Sequence, residues 1–204
     1  MSQSSLKVAL TGGIASGKSH VSHLLEKLGN PIVDLDIIAR EVVEPGTEGL
    51  SELVTAFGKE ILNKDGTLNR AHLRDKLYKK GRNRALIEQI LHPKISKKMH
   101  MAMSAQKNGV QIVVVPLLVE KNLWQPFDRA IVVDCAVENQ LNRLQKRENI
   151  EKMQAEAMLL AQSSREQRLK LGDNLPTDII ENNSEIIDLD KKVASLHQKL
   201  TDLL

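Results

Sequence analysis

The 204-residue sequence predicts an α/β fold with three layers, α/β/α, around a parallel sheet of about five strands. Short apolar runs recur along the chain as buried parallel strands do. Helical patterns separate them, and a glycine-rich turn joins the first run to the first helix. A chain of this length is long enough for one α/β domain with insertions, burying most of its apolar surface.

The first run, residues 6–11, leads into Gly12-Gly13-Ile14-Ala15-Ser16-Gly17-Lys18-Ser19. This matches G-x-x-x-x-G-K-[ST] at every fixed position. A helix follows, because Val21, Leu24, Leu25 and Leu28 fall at i, i+3, i+4 and i+7, with Gly29 where a C-terminal cap belongs. The second run, residues 31–34, ends in Asp34, and Asp36 follows two residues later, so two carboxylates lie at its carboxyl end. Residues 45–109 read as a helical insertion with turns at Asp65-Gly66, Gly81 and His92-Pro93. Runs at 111–115 and 130–134 supply the third and fourth strands, and a weaker fifth lies at 178–180. Residues 137–174 form a polar helical lid segment, and residues 172–177 read as a loop with Pro176 as a breaker. The last helix carries Ile186, Leu189, Val193, Leu196, Leu200 and Leu203 at a 3-4-3-4-3 spacing. That pattern is too short for a sustained heptad array, so packing onto the sheet is expected. The nucleotide-binding core is thus residues 1–44, 110–136 and 175–204.

Composition narrows the function. Hydrophobic residues make up 41% and charged residues 27%, an ordinary soluble balance. The net charge of +3 favours anionic ligands such as phosphates. One Trp, one Tyr and two Phe offer few stacking platforms, which argues against nucleic acid as a partner. Cys135 is the only cysteine, so no internal disulfide forms and a reducing cytoplasm is expected. Its apolar neighbours make it a packed core residue. No apolar run reaches a membrane span, and residues 6–10 are too short for a signal-peptide core. A small-molecule substrate, no membrane partner, and a monomer or small homo-oligomer are expected.

The glycine-rich turn carries the strongest chemistry. Gly12 and Gly17 let the backbone wrap an anion, with its N–H groups turned inward. The helix N-terminus adds partial positive charge. Lys18 can reach β- and γ-phosphate oxygens, and the Ser19 hydroxyl can join a Mg²⁺ shell. A turn of this shape that bound nothing would strand those amides beside a lysine. ATP with Mg²⁺ is the expected cofactor.

In an open parallel sheet, ligands sit beyond the carboxyl edge, where Asp34 and Asp36 lie beside the phosphate turn. A carboxylate there can take the acceptor hydroxyl's proton, orient that hydroxyl, or hold Mg²⁺ through water. Asp34 is preferred over Asp36. A strand-end Asp also serves simply as a helix cap. Arg143 and Arg147 are four apart on one helical face. Like charges at that spacing repel by roughly 0.2–0.5 kcal/mol, and an incoming polyphosphate would reverse the sign. The pair suits a lid closing over the γ-phosphate.

These residues resemble the dephospho-CoA kinase family of P-loop kinases along nearly the whole chain. The likeness runs through the phosphate turn, then Val33-Asp34-Leu35-Asp36-Ile37-Ile38-Ala39-Arg40-Glu41-Val42-Val43-Glu44-Pro45-Gly46. It continues through Asp65-Gly66-Thr67-Leu68-Asn69-Arg70, Leu91-His92-Pro93 and Val115-Pro116-Leu117-Leu118-Val119-Glu120. Gln140, Arg143 and Arg147 fall where that family's lid residues are expected. The resemblance implies a P-loop kinase that uses ATP to phosphorylate the ribose 3′-hydroxyl of dephospho-CoA. It would make Asp34, Lys18 and Arg143 catalytic, with Gly12 through Ser19 and Arg147 on ATP. Asp34, Arg74, His92, Leu117 and Glu120 would face the acceptor. Ala15 departs from the family's usual Gly, His20 from Thr and Leu35 from Ala. Thr177 takes the place of an Asp near the adenine segment, after an apparent insertion at 172–175.

Two other classes share the turn. Another P-loop small-molecule kinase, acting on a nucleoside monophosphate or sugar acid, would use the same sheet and lid. A regulatory P-loop NTPase is less consistent with the sequence. No Asn/Thr-Lys-x-Asp guanine motif occurs, and Val113-Val114-Val115-Pro116 lacks the Asp of a Walker B strand.

Overall fold

The computed structural model describes residues 5–79, 82–106, 108–183 and 186–204. They form two compact units, one drawn from residues 1–34 and 106–204, the other from residues 35–105. The chain begins with β1 (Ser5–Gly12), α1 (Lys18–Lys27) and β2 (Ile32–Asp34). The second unit follows with α2 (Leu35–Glu41), α3 (Glu48–Phe57), α4 (Arg70–Lys79) and α5 (Arg82–Ser104). The first unit resumes with β3 (Gly109–Val114), β4 (Arg129–Asp134), α6 (Val137–Glu148), α7 (Lys152–Leu160) and α8 (Arg165–Leu169). It ends with β5 (Thr177–Glu181) and α9 (Ile186–Thr201).

The five strands pair in parallel in the order β2-β3-β1-β4-β5. Each lies within two residues of its predicted run. The chain leaves β1 towards β2 on one side and later crosses to β4 on the other. The strand order therefore reverses at β1, and the crevice at a parallel sheet's carboxyl edge opens beside such a switch.

Alternation along the strands divides the core. Val8, Leu10, Ile112, Val114, Ile131 and Val133 pack with Val21 and Leu25 of α1. Leu189, Val193, Leu196 and Leu200 of α9 complete that cluster, so the last helix packs onto the sheet as its spacing predicts. Fully burying each such side chain is worth about 1.5–3 kcal/mol. Leu203 falls off the stripe and is 52% exposed. Ala9, Val113 and Val132 are also buried but lie outside the cluster, as period-two alternation places them on the opposite face. Cys135 is buried, in keeping with a packing role.

α1 ends as its glycine foretells. Gly29 has φ 90°, and the amides of Gly29 and Asn30 return to the carbonyls of Glu26 and Leu25. In the second unit, Gly66 has φ 83° in the predicted turn, where Asp65 Oδ1 accepts from the Thr67 amide at 3.0 Å. The expected turn at His92-Pro93 does not form, because α5 runs straight through Pro93. Proline removes one helical hydrogen bond and crowds the carbonyl four residues back. Tertiary contacts beyond it outweigh that loss. Met99 and Met103 are buried, and Lys94 reaches Glu52 at 2.8 Å. The predicted turn at Gly81 lies outside the described residues. The 172–177 loop begins later than expected, because a 3-10 turn at Lys170–Asp173 buries Leu171 first. Among the described residues, no helix is long and apolar enough to cross a membrane.

Candidate phosphate-binding site

The turn between β1 and α1 is shaped by close approach. A Cβ on Gly12 would come within 2.7 Å of both Ser16 Oγ and the Val133 carbonyl. Gly17 has φ 99° and serves as the N-cap of α1. It supplies no side-chain acceptor, and the first turn of α1 carries no acidic residue. No side-chain cap and no carboxylate of the helix itself therefore competes with an anion at its positive dipole end. The Ser16 amide donates to the Gly13 carbonyl at 3.1 Å, and Lys18 Nζ donates to the Gly12 carbonyl at 3.3 Å. The lysine therefore arches back over its own loop. Ala15 has φ 57°, a left-handed conformation that costs a side chain roughly 1–2 kcal/mol.

A wall of distant residues braces this loop. Gln140 Nε2, on α6, donates to the Ile14 carbonyl at 2.6 Å. The Ile14 amide donates to Gln162 Oε1 at 2.7 Å. Asn182 Nδ2, just after β5, donates to the Ser16 carbonyl at 2.7 Å. Arg168 is buried on α8 and presses on Gly13, where a Cβ would come within 2.7 Å of its guanidinium. Burial pulls the Arg168 guanidinium below the usual arginine value, while Glu120 and Asp134 draw it back up. Arginine still keeps its proton at neutral pH, so a fixed positive charge stands behind the loop. Arg165 opens α8 and grips the buried Asp134 with both prongs, at 2.8 and 2.6 Å. That hydrogen bond pushes Arg165 up. The Asn182 amide donates to the Asp134 carbonyl at 2.8 Å, joining the ends of β4 and β5.

The predicted residues fall into three groups. Residues 12–19 form one continuous loop and helix start. Asp34 closes β2, level with Val114, which is itself level with Leu10 of β1. Two strand spacings of about 4.8 Å separate those backbones at the edge where the loop sits. Arg143 Nη2 donates to the Asn182 carbonyl at 3.1 Å, one residue contact away from the loop. Arg147 turns to its neighbour Glu148 at 2.8 Å and is exposed. Glu120 Oε1 accepts from the Ser163 amide at 2.8 Å, and Leu117 is 42% exposed. Asp36, Arg74 and His92 belong to the second unit, where all three are exposed.

Sequence reading missed Gln162, Arg165 and Arg168, and used Asn182 only for alignment. Arg165-Glu166-Gln167-Arg168 looks like a solvated charged stretch. One signal was available: Ser164 and Gln167 form a reciprocal capping box that starts α8 and aims both arginines.

A family model for dephospho-CoA kinase matches residues 6–188. The dephospho-CoA kinase of Vibrio parahaemolyticus is 44% identical over 195 residues, covering 95% of this chain and 94% of its own. That of Yersinia pestis is 43% identical, covering 96% and 93%. Among solved structures, TT1252 from Thermus thermophilus superposes with a TM-score of 0.81 at 24% identity, covering 96% of this chain and 98% of its own. Dephospho-CoA kinase from Campylobacter jejuni gives 0.72 at 22% identity, with 98% of each chain covered. Shikimate kinase from Bacteroides thetaiotaomicron gives 0.53 at 16%, covering 96% and 98%. At such identities the structural likenesses speak to the fold alone.

Proposed function

The chain belongs to the dephospho-CoA kinase family, and from that premise we propose that it transfers the γ-phosphoryl group of ATP to the ribose 3′-hydroxyl of dephospho-CoA, giving coenzyme A and ADP. The observation that carries this reading is the uncapped start of α1, wrapped by the 12–19 loop, on the same sheet edge as Asp34.

In this reading the amides of Gly13, Ala15, Gly17 and Ser19, with the Lys18 ammonium, hold the β- and γ-phosphates. Arg143 and the buried Arg168 add positive charge from the flank, where the transition state gathers negative charge. Asp34 accepts the proton of the acceptor hydroxyl, whose oxygen bonds to the γ-phosphorus as the bond to the ADP oxygen breaks. Such transition states are loose, so orienting the hydroxyl matters more than the basicity of the carboxylate. Arg147 is assigned to ATP and Arg74, His92, Leu117 and Glu120 to the acceptor, on the family likeness.

A divalent cation fits this donor set. Mg²⁺ keeps several waters and takes few protein ligands beside phosphate oxygens. The exposed Ser19 hydroxyl and the half-buried Asp34 are oxygen donors of that kind. Ser19 would hold the ion, with Asp34 reaching it through water. Bound there, the ion would neutralise charge between the β- and γ-phosphates. The lone buried Cys135 suits a reducing cytoplasm.

A coupled ADP-release assay tests the proposal. ADP should appear only when ATP, Mg²⁺ and dephospho-CoA are all present. Release with a nucleoside monophosphate or a sugar acid, and none with dephospho-CoA, would reassign the acceptor.

A further inference from the structure

We propose that Gln140 and Gln162 are positioning residues of the phosphate loop, pinning both peptide groups of Ile14 and so holding Ala15 in its left-handed conformation. The inference rests on reading the 12–19 loop as a nucleotide-phosphate cradle.

The geometry is specific. Gln140 grips the Ile14 carbonyl, which belongs to the peptide joining Ile14 to Ala15. Gln162 grips the Ile14 amide, which belongs to the peptide before it. The two planes on either side of the Ile14 Cα are thereby set, and the second of them is the plane before Ala15. The Ser16 amide, donating to the Gly13 carbonyl at 3.1 Å, holds the plane after it, so the φ of 57° at Ala15 lies between two held peptides. An alanine resists this region because its Cβ crowds the backbone, and such conformations persist only where the surroundings over-determine them. No other side-chain hydrogen bond to the Ile14 or Ala15 backbone occurs among the described residues. The two glutamines lie 126 and 148 residues away along the chain.

Gln140 also carries a cost that packing alone does not explain. It is 1% exposed, and its Oε1 has no hydrogen-bond partner among the described residues. A leucine or methionine would fill the site without an unpaired buried oxygen. The amide is kept for the bond that its other end makes to the loop.

The test is a double-mutant cycle on the full chain, with Mg²⁺ and a non-hydrolysable ATP analogue titrated by calorimetry. Gln162→Met should raise Kd about tenfold, the share of loops that relax when the left-handed penalty is no longer opposed. In the Ala15→Gly background the same change should raise Kd less than about threefold, because glycine reaches that conformation without penalty. Gln140→Met repeats the cycle at the buried position, with circular dichroism melting to check folding. KM for ATP should rise while kcat at saturation moves less. The Ile14 amide should exchange slowly in the parent chain and faster in Gln162→Met. Equal losses in both backgrounds, or fast Ile14 exchange in the parent, would overturn the inference and leave the glutamines as ordinary braces. A parent chain that binds no analogue would instead sink the nucleotide reading, a failure visible before any mutant is made.

Discussion

Asn182 Nδ2 donates to the Ser16 carbonyl at 2.7 Å, tying the end of β5 to the middle of the phosphate loop. The same amide occupies the space that a Cβ on Gly17 would need. Gly17 is thus required twice, by its φ of 99° and by its neighbour.

Gly17→Ala should therefore abolish nucleotide binding, since both strain and collision oppose it. Asn182→Ala should be milder. It leaves a buried carbonyl unpaired, a loss of about 1–3 kcal/mol. Thermal melting should show the drop, and calorimetry a weaker ATP affinity. An unchanged melting temperature together with unchanged affinity would remove Asn182 from the loop's support.

Lys18→Met and Asp34→Asn should separate binding from chemistry. The first should weaken ATP binding and lose turnover. The second should keep ATP affinity while kcat falls by about 10²-fold or more, the usual size of a base or positioning effect. Full kcat in Asp34→Asn would hand that role to another group.

The Arg165–Asp134 pair offers a stability cycle. Asp134 is only 5% exposed, whereas Arg165 is 43% exposed. Arg165→Met strands a buried carboxylate and should cost about 1–3 kcal/mol, towards the low end because water reaches the arginine side. Adding Asp134→Leu should recover part of that loss in urea denaturation. Strict additivity of the two changes would mean that the pair is not coupled.

Asp178 sets an acid-side limit on stability. Burial pushes its carboxyl up, but hydrogen bonds from Arg129 and Lys199 outweigh that and hold it below the usual value. The folded state therefore binds protons less readily than the unfolded chain. Its contribution is full above the unfolded carboxylate pKa of about 3.9 and fades as pH falls through the lower folded value. Unfolding free energy measured against pH should fall over that window, and Asp178→Asn should flatten the slope. An identical slope in the variant would assign the acid sensitivity elsewhere.

The sheet and the phosphate loop were legible in the sequence because both are written in neighbouring residues. Apolar runs mark buried strands, and G-x-x-x-x-G-K-S has a meaning that depends only on local backbone geometry. Pro93 misled for the same reason. Its local message is a break, whereas α5 is held beyond it by Lys94 on Glu52 and by buried Met99 and Met103. Arg143 and Arg147 share a helical face in the sequence but part company in the fold. Arg143 does reach towards the loop through Asn182, while Arg147 turns aside to Glu148.

The sequence by itself determined the strand runs, the glycine-rich turn and the carboxylate at the end of β2, since each depends on residues adjacent in the chain. Only the tertiary structure decided what supports that turn. Gln140, Gln162, Arg168 and Asn182 meet residues 13–17 from more than a hundred positions away. No periodicity records such a meeting, because it arises from the order in which parallel strands assemble and from the demand that buried polar groups find partners.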